Sequence, residues 1–243
     1  MLAKGNMSLV LLVCIVLSAL GMASFAGMLV EDFEDGDADG WERSPQNEDS
    51  DDVFWGVVDG EMMFDPQGQD WSVAISQMNF VGNSRIPDVE EWTDYEVEVD
   101  MKLTDLGNHP GGIRARVNLE TGGHYVLWLY PGNSDMKLYK NPGWDINTGL
   151  ATLGTAPFSP EVDEYHTLKL KCEGNTITVF YDGDEMISAT DSDHPKGTIA
   201  LCVQNKVVYF DNVVVTGTEI LNVKMSPVES VGKLSTTWAA IKR

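Results

Sequence analysis

Residues 165–215, YHTLKLKCEGNTITVFYDGDEMISATDSDHPKGTIALCVQNKVVYFDNVVV, constrain the fold more than any other stretch, because they read as successive strands with a turn at every join. Apolar and polar side chains alternate through Leu168, Leu170 and Cys172, and again through Ile177, Val179 and Tyr181. That is the period-two pattern of half-buried strands. The joins are Glu173-Gly174-Asn175, Asp182-Gly183 and Pro195-Lys196-Gly197, where Gly and Asn tolerate positive φ. An antiparallel all-β arrangement follows.

A second strand pair lies upstream, over residues 112–119 and 124–130, joined by Glu120-Thr121-Gly122-Gly123. Ile113, Ala115 and Val117 alternate with Arg114, Arg116 and Asn118, while Tyr125, Leu127 and Leu129 alternate with His124, Val126, Trp128 and Tyr130. With the first set of each strand turned to the core, the opposite face carries two Arg, one Asn and two large aromatics. Tyr139, in a strand Lys137-Leu138-Tyr139-Lys140, and Trp144, in the next loop, extend that face. Sugar rings suit such a surface, since their C–H faces stack on aromatics while Arg and Asn bond the hydroxyls. Two guanidinium groups would favour an acidic sugar or a carboxylate. The competing reading is packing, with Arg lying along aromatics as structure. The sugar reading requires Arg114 and Trp128 to line an accessible hollow.

The closing strands resemble those of the concanavalin A-like lectin and glucanase superfamily, whose members are two-sheet jelly rolls. The resemblance is carried by Tyr165-His166-Thr167-Leu168, Gly174-Asn175-Thr176-Ile177-Thr178-Val179, Tyr181-Asp182-Gly183, Thr190-Asp191-Ser192, Gly197-Thr198-Ile199-Ala200-Leu201 and Phe210-Asp211-Asn212-Val213. Upstream, Phe33-Glu34-Asp35-Gly36 leading to Gly40-Trp41, and Trp55-Gly56-Val57-Val58-Asp59-Gly60-Glu61, match as well. It runs over residues 30–216 and is nearest to laminin G-like, 3-keto-disaccharide hydrolase-like and levan-binding jelly rolls. It implies an antiparallel β-sandwich with saccharide on the concave sheet. It also implies a structural Ca2+ that ties the first strand to the last, through Glu34 or Asp35 and Asp211. Were the chain an enzyme on 3-keto sugars, the candidates would be Glu61, Asp100 and His124, with Arg114 and Arg116 beside them.

The carboxylates have two readings. Asp35-Gly36-Asp37-Ala38-Asp39-Gly40 places three acids on one turn, a spacing that offers Ca2+ several hard oxygens, although the EF-hand's twelfth position is Gln46 here. Glu34, Asp35, Asp37, Asp39 and Asp211 thus form the candidate metal set, against a turn in which Asp merely caps its own backbone. In Tyr95-Glu96-Val97-Glu98-Val99-Asp100-Met101 three acids share one face of a strand. The glucanase pattern E-x-D-x-x-E is absent, so these acids read as the wet side of the strand. Isolated His109 and His124 lack the spacing of a zinc site, and there is no Ser nucleophile elbow or phosphate loop.

Among 243 residues, 16 Lys and Arg face 38 Asp and Glu, a formal charge of -22. Such a field repels nucleic acid and anionic lipid and attracts cations. Residues 1–26 read as a signal peptide, with Lys4 ahead of an apolar run over 9–20 that is short for a membrane span. Export, to the outside or the cell envelope, is the expectation, with no integral membrane partner implied. Cys172 and Cys202 remain after cleavage; their parities put the thiols on opposite faces, and two free thiols are expected. The jelly roll is assigned to 27–217, and 218–243 to a linker and short amphipathic tail in which Leu234, Trp238 and Ile241 recur at helical spacing.

The resulting expectation is an exported, single-domain, all-β jelly roll that binds carbohydrate or a glycoconjugate without transforming it. Its rivals are a hydrolase or lyase acting on 3-keto-disaccharides or related sugars, and a structural or adhesion module at the cell surface.

Overall fold

The computed structural model describes residues 26–44, 53–68, 76–107, 111–144 and 149–225. In chain order the strands are β1 (Gly27–Glu31), β2 (Trp41–Arg43), β3 (Phe54–Val58), β4 (Glu61–Asp65), β5 (Ser76–Phe80), β6 (Tyr95–Leu103), β7 (Gly111–Val117), β8 (His124–Tyr130), β9 (Asp135–Asn141), β10 (Ala151–Pro157), β11 (Tyr165–Glu173), β12 (Thr176–Tyr181), β13 (Asp184–Thr190), β14 (Thr198–Val203), β15 (Val208–Gly217) and β16 (Val223–Met225). They form two facing sheets. Sheet A runs β13-β12-β11-β6-β15-β1-β16, with the β3–β4 hairpin attached through β4 to β15; sheet B runs β10-β9-β8-β7-β14-β5-β2. All neighbours are antiparallel except β1 and β16.

The strands follow from their alternation. In β6, Tyr95, Val97, Val99, Met101 and Leu103 are buried while the residues between them are half-exposed. The buried set faces Ile113, Ala115, Leu127, Leu129, Leu138 and Leu201 of sheet B across one apolar core. Sheets stack about 10 Å apart, so side chains from the two inner faces meet and exclude water. Aromatic rings close one end of that core: Trp41 against Phe80 at 5.2 Å, Phe80 against Trp92 at 5.9 Å, and Trp92 against Tyr95 at 5.9 Å.

The expected all-β sandwich is therefore what the chain forms. The acids of β6 are on its wet side, where Lys169 bonds Glu98 at 2.9 Å and approaches Glu96 at 3.6 Å. Cys172 and Cys202 are free, on different sheets. The sandwich continues past residue 217, because Ile220 and Met225 are buried and β16 pairs with β1. Residues 1–25 and 226–243, which hold nearly all of the expected signal peptide and the expected tail helix, lie outside the described residues.

Candidate functional site

The outer face of sheet B, the side turned away from the core, is where the residues expected from the sequence to bind sugar are placed. Register fixes its composition. Arg114 of β7 pairs with Val126 of β8 and Ala200 of β14, and Val126 pairs in turn with Tyr139 of β9. One row along, Gly112 pairs with Trp128 and Cys202, and Cys202 with Gln77. At the other end His124 pairs with Asn141. Val126, Trp128, Tyr139 and Cys202 make a small apolar cluster separate from the main core, with Tyr130 packed at its edge.

This face is covered rather than open. Arg114 is 1% exposed, Trp128 4% and Tyr139 9%, which corrects the expectation of an accessible hollow around Arg114 and Trp128. Exposure rises only toward the far end of β8, where Tyr130 is half-buried. There Tyr130 and Tyr139 join hydroxyls at 2.9 Å, and the Lys137 ammonium sits 4.5 Å from the centre of the Tyr130 ring.

The buried groups are unequally satisfied. The Arg114 guanidinium donates through Nη1 to Gln77, whose amide donates to Asn79 at 3.0 Å. The Cys202 thiol lies beside the guanidinium, and burial lowers the Arg114 pKa and raises that of Cys202. Among the described residues Arg114 Nε, His124 Nε2 and Asn141 Nδ2 have no hydrogen-bond partner. His124 Nδ1 lies 2.7 Å from the Gly122 carbonyl, so Nδ1 carries the proton and Nε2 presents a lone pair. Burial first, and then the nearby Arg114 charge, drive the His124 pKa well below the usual imidazole value.

The other expected ligand residues have different work. A β-bulge between Thr198 and Ala200, with Arg116 at φ 50, turns the Arg116 side chain off the sheet face. Its guanidinium donates to the carbonyls of Thr93 at 3.0 and 2.9 Å, Gly174 at 2.8 Å and His194 at 3.2 Å, and pairs with Asp94 at 3.4 Å. Arg116 is thus a staple between the end of β7 and sheet A. Asn118 caps the β7–β8 turn, its Oδ1 accepting from Glu120 N, Thr121 N and Thr121 Oγ1. Trp144 packs over Gly122 of that turn, where a Cβ would strike the indole.

Glu61, Asp100 and His124 do not form one constellation. Glu61 and Asp100 sit on the outer face of sheet A, whereas His124 faces outward from sheet B, so the full core lies between them. Glu61 accepts from the Tyr165 hydroxyl and pairs with Lys102 at 3.3 Å, the Lys102 ammonium lying 4.6 Å and 4.3 Å from the Tyr165 and Tyr209 rings. Asp100 accepts from Thr167 Oγ1 at 2.7 Å and Asn212 Nδ2 at 3.0 Å. The carboxylates are held as a surface network.

The candidate metal set also divides. Asp35 Oδ1 accepts from Asp37 N at 3.2 Å and Asp37 Oδ1 from Asp39 N at 3.0 Å, while Asp39 bonds Asn83 at 2.8 Å. These acids cap their own turn. Glu34 and Asp211 stay within electrostatic reach of one another; burial, followed by repulsion from Glu61, Asp100 and Glu34, raises the Asp211 pKa. Among the described residues no three His, Cys, Asp or Glu side chains gather as a metal cage.

Gln77, Asn79 and Asn141 belong to the sheet-B face without having been expected there, while Cys202 lies on it as its parity against Leu201 and Val203 implies. The alternation of Gln77 and Asn79 with Met78 and Phe80 carried the signal for two of them.

Comparison with known proteins agrees with this architecture. The carbohydrate binding module CBM66 from Bacillus subtilis superposes with TM-score 0.55 at 19% identity, covering 72% of this chain and 93% of that one. The beta-glucanase of Bacillus licheniformis gives TM-score 0.54 at 14% identity, covering 79% and 98%. LamAcat from Zobellia galactanivorans gives 0.51 at 15% identity, covering 77% and 96%. At these identities the likeness is one of fold. No curated protein matches the sequence. Residues 29–216 match the family of 3-keto-alpha-glucoside-1,2-lyase-like domains, and on a match spanning most of its length, built on the two-sheet jelly roll described above, the chain belongs to that family.

Proposed function

We propose that this protein is an exported saccharide-binding jelly roll that recognises a glycan on the outer face of sheet B and does not transform it. The observation that carries the reading is the combination on that one face of aromatic rings, Trp128, Tyr130 and Tyr139, with buried polar atoms that lack partners, on Arg114, His124 and Asn141. Aromatic surface with a few convergent polar groups is what a sugar site requires. Arg114 and Trp128 do not meet the condition of an accessible hollow, so the reading is that of a glycan that first meets the half-buried Tyr130 and Lys137 end of the face. Arg116 is set aside as a ligand residue because its guanidinium is occupied by backbone carbonyls, whereas Asn118 has its Oδ1 engaged in the turn.

A lyase acting on 3-keto-glucosides is the second reading, favoured by the family match and by the bare Nε2 of His124, which could accept a proton. The separation of Glu61 and Asp100 from His124 counts against any mechanism that uses all three. A structural Ca2+ would draw on Glu34 and Asp211, whose carboxylates lie within electrostatic reach of one another, and on the oxygens of Asp35, Asp37 and Asp39 that turn capping leaves free.

A glycan array with the full chain, run in Ca2+ and in EDTA, tests the reading. Wild type is expected to bind a set of glycans with no product released, and Tyr130→Ala, at the half-exposed rim, to weaken that binding with the fold intact. Absence of any glycan signal rejects the reading, turnover of a 3-keto-disaccharide favours the lyase, and indifference to EDTA removes the calcium.

A further inference from the structure

The unpartnered atoms on sheet B specify more than the presence of a ligand. Arg114, His124 and Asn141 lie on three adjacent strands, on one face, and are 1%, 0% and 0% exposed. Buried polar atoms without partners are rare in folded proteins, since each has given up its hydration with no bond in return. Three on one face of adjacent strands are groups that a polar guest would satisfy.

Their hydrogen-bonding senses differ. Arg114 Nε–H is a donor only. Asn141 Oδ1 faces the Gly143 N–H at 3.4 Å, which fixes Nδ2, a donor, as the free end of the amide. His124 Nε2 is an acceptor, because Nδ1 spends its proton on the Gly122 carbonyl. The guest must therefore give one proton and accept one. A carboxylate cannot, since it would set its lone pairs against that of His124 unless the imidazole took up a proton, a step opposed by burial and by Arg114. A hydroxyl can do both.

We propose that this subsite takes a single neutral hydroxyl of a sugar, its O–H donating to His124 Nε2 and its oxygen accepting from Arg114 Nε–H or Asn141 Nδ2–H, so that the protein selects neutral over uronic-acid glycans. This rests on the saccharide reading above. It reverses the expectation, drawn from counting two arginines, that the ligand is acidic: Arg116 is consumed as a staple, and Arg114 already gives Nη1 to Gln77. In the free protein an ordered water can hold the same bonds, and the sugar hydroxyl replaces it.

The test is titration of the full chain with glucosyl and galactosyl oligosaccharides and with their uronosyl counterparts, for wild type, His124→Phe, His124→Gln and Asn141→Leu. Near-UV circular dichroism reports folding. Neutral members are expected to bind at least about tenfold more tightly than uronosyl ones, and His124→Phe to lose about tenfold or more, by the cost of a buried unpaired donor. His124→Gln, which keeps an acceptor, retains most of the binding. Uronosyl glycans binding equally well or better would overturn the hydroxyl subsite and leave the saccharide reading standing, whereas no binding by any member defeats both. Neutral binding unmoved in folded His124→Phe and Asn141→Leu would place the hydroxyl elsewhere. Should those variants not fold, a crystal structure of wild type with a bound neutral oligosaccharide decides. A sugar oxygen on His124 Nε2 supports the proposal, and a retained water there overturns it.

Discussion

Two arginines two positions apart on β7 show how differently one residue type can be used. Arg116 satisfies three backbone carbonyls from three separate segments, so its loss would strand them in a buried place. Arg116→Met should lower stability by about 3 kcal/mol or more, read as a drop in the urea midpoint with an unchanged slope. Glu31 provides a second case. It is 1% exposed, Oε1 accepts from Phe33 N at 2.9 Å, and burial above all pushes its pKa from 4.5 to about 7. The folded chain thus holds this proton over a window in which the unfolded chain has released it, and the Glu31 contribution to stability falls as pH rises from about 4.5 to about 7. Glu31→Gln should match wild type at pH 4 and exceed it at pH 8 in urea unfolding. Equal stabilities at both pH values would show that Glu31 titrates normally.

At the scale of the element, β7 and β8 are the pair on which the candidate site depends, and Gly112 sets how closely they lie. A Cβ there would strike the backbone of Leu127 and Trp128, which cannot swing away as a flexible side chain would. Gly112→Val is therefore expected to part the two strands, costing about 2 kcal/mol or more in thermal or urea unfolding and disturbing the Trp128 fluorescence environment. The alternation that made β6, β11, β12 and β15 legible worked because each has one wet face and one core face. In β7 and β8 both faces are buried, so the same alternation located the core residues Ile113, Leu127 and Leu129 correctly but said nothing of whether the other face was open. The bulge at Arg116 was equally hidden, since no local residue signals it and only pairing with β14 requires it.

For the whole molecule, the formal charge of -22 spread over one sandwich implies self-repulsion. Stability should rise with NaCl between low and moderate ionic strength as that repulsion is screened, seen as an increase in Tm; a flat response would mean that the acids are locally neutralised. Ion pairs such as Lys140 with Asp191 and Asp193, both at 2.6 Å, relieve part of the field at individual points. The sequence by itself determined the antiparallel strands, the identity of the core and the free thiols, because side-chain parity and turn chemistry are local properties that survive in one dimension, while the jelly-roll class was legible through the family resemblance of its motifs. Tertiary structure alone decided which of the two β7 arginines staples backbone carbonyls and which is buried with Nη1 on Gln77 and Nε unpartnered among the described residues. It also decided that Glu61 and His124 lie on opposite surfaces, and that the aromatic face of sheet B is covered. Each of these depends on what packs across a sheet from residues distant in the chain, and hydrogen-bond satisfaction is settled only when those partners arrive.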